Sequence, residues 1–187
     1  MTHDPYTLPA NLPVPEDDGA ADHLRGVMLP QLTLESTRGP VSLRALSMGL
    51  LVLYVYPRTG RPGVEPPSAW DATPGARGCT PQSCGYRDHG DELRDLRARV
   101  VGLSAQPLED QRELAERLGL AHPVIADPEL RLAGALRLPT FDFDGRRLYK
   151  RLSLVAEAGR IAKVFYPVFP PDENAAEVVA WLRERGS

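Results

Sequence analysis

Cysteine is scarce in this chain of 187 residues: there are two, Cys79 and Cys84. Four residues separate them, which is not the two-residue knuckle of a zinc site, and no histidine pair is at hand to complete one. No metal or other cofactor is therefore expected. Long apolar runs are missing as well. The longest, Leu50 to Tyr56, falls far short of the ~20 residues a membrane span needs. A strong charge of either sign is also absent. The formal net charge is −3 with acids and bases interspersed, so neither nucleic acid nor a membrane surface is an expected partner. Met1 to Asp4 carry no basic region and no apolar core follows, so no secretory signal is read and the expected location is the cytoplasm. Thiols are kept reduced there, and a cysteine pair is more often catalytic or redox-cycling than a structural staple.

What is present points to one α/β domain. The 25% charged fraction is typical of a soluble globular protein, while 19 prolines, about twice the roughly 5% average usage, give loops and turns a large share. Residues 1–22 hold Pro5, Pro9, Pro13 and Pro15 and read as an extended arm, with a single domain over 23–187. Leu32 to Leu34 and Arg38 to Leu43 suggest strand, turn, strand. Leu50 to Tyr56 is a β-prone run buried on both faces, ended by Pro57. The proline- and glycine-rich stretch from Arg58 to Gly78 is long for a structureless loop, which marks function or mobility. Thr80-Pro81 opens a helix interrupted near Gly90. Val100 to Leu103 is a second buried strand, Gln106 to Asp110 starts a helix that Gly119 stops, and Pro123 to Ala126 is a third strand. Asp127-Pro128-Glu129 signals a short helix to Leu136. Two hairpins turn at Asp144-Gly145 and Glu157 to Gly159. Asp172 caps a last helix whose Ala175, Val178, Val179 and Leu182 form one stripe. Strand–helix alternation, then hairpins and a closing helix, is a thioredoxin-like order with a mixed central sheet flanked by helices.

The chemistry concentrates between Thr73 and Asp88. At a helix start the backbone N–H groups lack intrahelical partners and the dipole presents roughly half a positive charge. Both favour a thiolate at Cys79, with Arg77 and Arg87 able to add to the effect. Cys84 poses a distance problem. On one intact helix the two Cα atoms stand about 8.7 Å apart, whereas a disulfide needs no more than about 6.8 Å. Either the helix begins after Cys79, or its first turns unwind when a bond forms.

The segment Gly78-Cys79-Thr80-Pro81-Gln82-Ser83-Cys84-Gly85-Tyr86-Arg87-Asp88 resembles the peroxidatic segment of the peroxiredoxins, in particular the bacterioferritin-comigratory (PrxQ) type, Gly-Cys-Thr-x-Glu-x-Cys-x-Phe-Arg-Asp. A second block, Arg151 to Ile161, is similar to that family's Arg-x-Thr-Phe-Val-Ile-Asp-x-x-Gly-x-Ile. Leu53 to Pro57 resembles the strand that ends in proline before the active loop, and Val27 to Leu34 the opening strand. The resemblance implies a thioredoxin fold and thiol-dependent reduction of hydrogen peroxide and organic hydroperoxides. Cys79 would attack the peroxide and become a sulfenic acid. Cys84 would resolve it as an intramolecular disulfide, and thioredoxin or a similar dithiol would restore the pair. Arg151 would hold the thiolate and stabilise charge on the leaving oxygen. Thr80, Thr73, Pro57, Gln82 and Arg87 are the further candidates around the substrate, and a monomer is expected.

Three departures accompany the resemblance. The family's loop places a threonine hydroxyl three residues before the nucleophile, where this chain has Ala76. Either Thr73-Pro74-Gly75 corresponds to the family's Thr-Pro-Gly and Ala76-Arg77-Gly78 is inserted, or Thr80 does some of the work. The family's glutamate three residues after the nucleophile is Gln82, and the loop after Pro57 is much longer than usual. These changes motivate a competing reading, a redox-responsive binding protein switched by a Cys79–Cys84 disulfide with little turnover. A thiol–disulfide oxidoreductase is a third, less favoured because Cys-x-x-Cys is lacking.

Overall fold

The structure, a computed structural model, describes residues 4–186. Residues 1–3, part of the opening on which the signal reading rests, lie outside the described residues. Short strands β1 (Thr33–Leu34) and β2 (Val41–Ser42) pair antiparallel, and α1 (Leu43–Leu46) follows, capped by the Ser42 hydroxyl, which accepts from the Ala45 N–H. Next come β3 (Leu50–Val55), α2 (Cys79–Asp88), α3 (Gly90–Asp95), β4 (Ala98–Ser104), α4 (Leu108–Leu118), β5 (Val124–Ala126) and α5 (Arg131–Leu136). The hairpins are β6 (Thr140–Phe143) with β7 (Arg146–Tyr149), and β8 (Leu152–Glu157) with β9 (Arg160–Phe165). Helix α6 (Asn174–Arg185) closes the order. Among the described residues no helix is long and apolar enough to cross a membrane.

The apolar run at Leu50 becomes the middle strand of a five-stranded sheet, ordered β5-β4-β3-β8-β9. Its neighbour β4 runs parallel to it and β8 antiparallel, which makes the expected mixed sheet. Side chains alternate with the two-residue period of a strand. Leu51, Leu53 and Val55 face a core built with Leu34, Leu43, Leu132 and Leu136, while Val52, Tyr54 and Tyr56 face α2, α4 and α6. All six are essentially inaccessible, so trimming Leu53 to alanine costs about 2–5 kcal/mol. The large rings set a limit nearby: a Cβ on Gly102 of β4 would lie 2.7 Å from the Tyr54 ring, so only glycine fits beside it.

The residues between β3 and α2 form turns without helix or strand, yet they are anchored. Trp70 and Ala76 pack with Leu148 in a small separate core, and the Trp70 ring meets Phe143 edge-on at 4.9 Å. The arm is laid along the molecule. Arg77 donates to the Asp4 carbonyl, Arg117 to the Tyr6 hydroxyl, and Lys150 pairs with Asp18. Two boundaries differ from the sequence reading. Helix α5 begins at Arg131, after a left-handed Leu130, although the Asp127 carboxylate still accepts from the N–H groups of Arg131 and Leu132. Asp172 does not cap α6. The residue before that helix is Glu173, without a side-chain cap, because the chain enters through Asn174, whose amide is drawn inside.

Candidate active site

Cys79 is the first residue of α2, so the alternative in which the helix starts after it does not occur. The preceding Gly78 takes φ 100°, and a Cβ there would fall 2.3 Å from Pro171 and 2.9 Å from Leu8. A glycine is required both for the left-handed backbone and for the space. This abrupt turn sets the Cys79 sulfur at the helix N-terminus, only 3% exposed, within 3.5 Å of the Ala76 carbonyl. Arg151, next to the start of β8, reaches across the sheet end and its Nη2 donates to Sγ at 3.2 Å.

Arg151 is itself 3% exposed, and no ion pair among the described residues involves it. Its cation is held by dipoles instead: the carbonyls of Gly75, Ala76 and Arg77 at 3.3, 3.2 and 3.0 Å, and the Gln82 side-chain oxygen at 2.5 Å. A buried guanidinium with only neutral acceptors makes the neighbouring sulfur the one partner able to take negative charge. Gln82, one turn after Cys79, is fixed in turn by donating from Nε2 to Asn174 Oδ1 at 3.1 Å. That same oxygen accepts from the Tyr86 and Ser153 hydroxyls, so a buried polar cluster ties α2, β8 and α6 together behind Arg151.

Cys84 lies on the same helix in a different setting. It is half-buried against the core that contains Tyr54 and Tyr86, whose rings stack 4.3 Å apart. Burial pushes its thiol above the ordinary value, Arg87 and Arg117 oppose that, and Asp88 adds to it. Both thiols are free with α2 continuous between them, so their Cα atoms stand at the helical separation of about 8.7 Å.

A cavity of about 250 Å³ is lined in part by Cys79 and Thr80. Its walls are the start of the long loop from Arg58 to Pro67, Trp70 and Arg77 further along it, and the near end of α4. Of the sequence candidates, the fold brings together Cys79, Thr80, Arg151 and Gln82. It does not bring Thr73 to the sulfur: that hydroxyl donates to the Ala69 carbonyl, and the residue lines a different cavity with Pro15 and Phe141. Arg87 is exposed, paired with Asp88 and bound to the Leu118 carbonyl, away from the cavity. Pro57 is buried behind the loop, its carbonyl accepting from Ser104. Asn174 and Ser153 were missed. Ser153 occupies the hydroxyl position of the matched Arg-x-Thr block, whereas Asn174 carries no local signal and is identified only by its buried amide.

A Redoxin family profile matches residues 24–179. The chain belongs to the Redoxin family. The chloroplastic peroxiredoxin Q of Arabidopsis thaliana is 24% identical over 184 residues, covering 98% of this chain and 78% of its own length. The peroxiredoxin Bcp of Bacillus subtilis is 26% identical over 164 residues, covering 85% and 94%. The crystal structure of peroxidoxin BcpB from Mycobacterium tuberculosis superposes with a TM-score of 0.68 at 27% identity, over 86% of this chain and 97% of that one. This redoxin therefore has the thioredoxin-like fold expected of it, and the resemblance to the bacterioferritin-comigratory type holds along almost the whole chain.

Proposed function

We propose that the chain is a thiol peroxidase that reduces hydrogen peroxide and organic hydroperoxides. The observation that carries this reading is the Arg151 guanidinium donating to the Cys79 sulfur at a helix start, beside a cavity that Cys79 lines. The Cys79 thiolate attacks the terminal peroxide oxygen. A sulfur–oxygen bond forms, the oxygen–oxygen bond breaks, and the alcohol or water leaves with a proton. Arg151 stabilises charge moving onto the departing oxygen, and Thr80 supplies the hydroxyl that Ala76 lacks. The resulting sulfenic acid is attacked by the Cys84 thiolate, which expels water and leaves a Cys79–Cys84 disulfide. Closing that bond requires the first turn of α2 to unwind, since about 8.7 Å in the helix exceeds what a disulfide spans. A thioredoxin-like dithiol then takes the oxidation by two thiol–disulfide exchanges. Residues 23–187 act as the peroxidase unit, as a monomer, with the arm laid across it.

Thioredoxin-coupled NADPH oxidation with hydrogen peroxide and cumene hydroperoxide tests the reading. Consumption is expected with the wild-type chain and none with Cys79→Ser. Equal rates in the two would sink it. A reversible disulfide without turnover would instead favour the redox-responsive binding protein.

A further inference from the structure

The cavity above Cys79 has a mouth that the proposed chemistry does not use. Arg58 is held there by its neighbours: Thr59 donates its N–H to the Gln106 side-chain oxygen at 2.7 Å, which clips the first turn of the long loop to the segment leading into α4. The Arg58 guanidinium lies 5.7 Å from the Trp70 ring centroid, a cation–π contact, and Trp70 is 5% exposed. The charges around the same cavity are already engaged. Arg61 pairs with Asp110, Arg77 with Asp71, and Glu113 with Arg117, and Glu65 is not free. Among the described residues Arg58 is the lining charge with no carboxylate against it. Val64, Pro66, Pro67 and Trp70 make the surrounding wall apolar.

We propose that Arg58 and Trp70 form an anion subsite at the mouth of the Cys79 cavity, selecting hydroperoxides that carry a carboxylate on a compact apolar or aromatic body. This rests on the peroxidase reading of the cavity floor. The cavity's size suits one ring and its substituents. The ring stacks among Trp70 and the prolines, the hydroperoxide reaches Cys79, and the carboxylate meets the planar fork of Arg58, which can donate two parallel hydrogen bonds. The long loop that departs from the family's usual length thereby becomes the part of the molecule that chooses the substrate.

The test pairs the para-carboxylate of cumene hydroperoxide with its methyl ester. The acid is expected to be reduced with about tenfold higher kcat/KM than the ester, the size of one charge-assisted contact, and Arg58→Gln to bring the ratio near one. Arg58→Lys keeps charge without the fork and should fall between. A second readout does not depend on turnover. In a Trp181→Phe background excited beyond tyrosine absorption, emission comes from Trp70, and para-isopropylbenzoate should quench it, with quenching lost in Arg58→Gln. A ratio near one in the wild-type chain, or quenching that survives Arg58→Gln, overturns the subsite. If hydrogen peroxide itself is not consumed the peroxidase reading falls, while the fluorescence titration still decides whether the subsite exists.

Discussion

Cys79 and Cys84 share one ten-residue helix but not one environment. Cys79 belongs to the same apolar cluster as its neighbour, but polar groups are turned on its sulfur: the helix N-terminus, the Arg151 guanidinium and the Ala76 carbonyl. Cys84 rests against an aromatic slab, with its thiol pushed up by burial and only Arg87 and Arg117 to oppose that. The first setting is hydrogen-bonded around the sulfur; the second offers the sulfur mainly apolar contact. On the proposed mechanism, the difference teaches that attack and resolution make opposite demands on α2. Attack needs the helix intact, because its N-terminus and Gln82 hold the site, whereas a disulfide needs its first turn undone.

The hardest break of this contrast is to remove each sulfur in turn. Cys79→Ser should reduce peroxide consumption to the uncatalysed level. Cys84→Ser should keep the first attack within about twofold, because its sulfur makes no hydrogen bond to Arg151, Gln82 or Cys79 among the described residues, and accumulate a sulfenic acid or an intermolecular disulfide. Rapid-mixing kinetics for one turnover, with mass spectrometry of the product, distinguishes them. An internal disulfide absent from oxidised wild-type protein would remove Cys84 from the mechanism.

Next in size is the cradle. Arg151→Met should lower the rate constant of peroxide attack on the order of 10²–10³-fold, the usual scale for losing a preorganised donor to developing charge. Arg151→Lys should recover little of it, since one ammonium cannot sit at both the Nη1 place beside the Gln82 oxygen and the Nη2 place beside the carbonyls and the sulfur. Gln82→Glu sharpens the same point. A carboxylate placed on Arg151 would share its cation with Cys79, and attack should slow by about tenfold. A faster Gln82→Glu enzyme would show that the neutral amide is not what leaves the guanidinium to the sulfur.

Much of the Cys79 side was legible in the sequence, and the reasons are local. A helix opening at Thr80-Pro81, a glycine before the cysteine and the Arg151 block are short-range patterns, and each was found where expected. The central strand was equally plain, since a run buried on both faces leaves no alternation to misread. The misses are long-range. Asn174 enters the site because α6 packs on α2, and no feature of Asp172-Glu173-Asn174 says whether the aspartate caps outside or the asparagine turns inside. Thr73-Pro74-Gly75 matches the family's Thr-Pro-Gly as one source of the missing hydroxyl, but the turn at Trp70 to Ala76 faces Thr73 to another cavity. The Arg58–Trp70 contact spans a loop whose path is fixed by a small core with the β6–β7 hairpin, which no periodicity encodes.

The aromatic side carries its own signature in pH. His122 accepts or donates at the Tyr54 hydroxyl, 2.8 Å away, and burial, with the Arg38 charge, lowers it from the ordinary 6.5 to about 4. Between those values the unfolded chain binds a proton that the folded chain does not. Stability should therefore be complete above about pH 6.5 and decline as pH falls toward 4, on the order of 3 kcal/mol over the window. Urea unfolding at several pH values checks this, and His122→Phe should flatten the decline. An unchanged slope in that variant would place the acid sensitivity elsewhere.

The smallest expected effect joins the two sides. Leu8 packs over Gly78 at the Cys79 end of α2, and Tyr6 lies over Arg117, one of the two cations beside Cys84, with the guanidinium 5.6 Å from its ring centroid. The arm thus bears on the turn that the proposed disulfide would unwind and on the helix that faces it. Leu8→Ala removes the contact at Gly78 without touching the groups around Cys79. Internal disulfide formation after a peroxide pulse should become about two- to fourfold faster, because less than 1 kcal/mol of packing is withdrawn from the helix start, while the attack step keeps its rate. If attack and resolution slow together in Leu8→Ala, the arm is holding the site in shape rather than restraining the helix. The two cysteines would then share a support that their surroundings do not reveal.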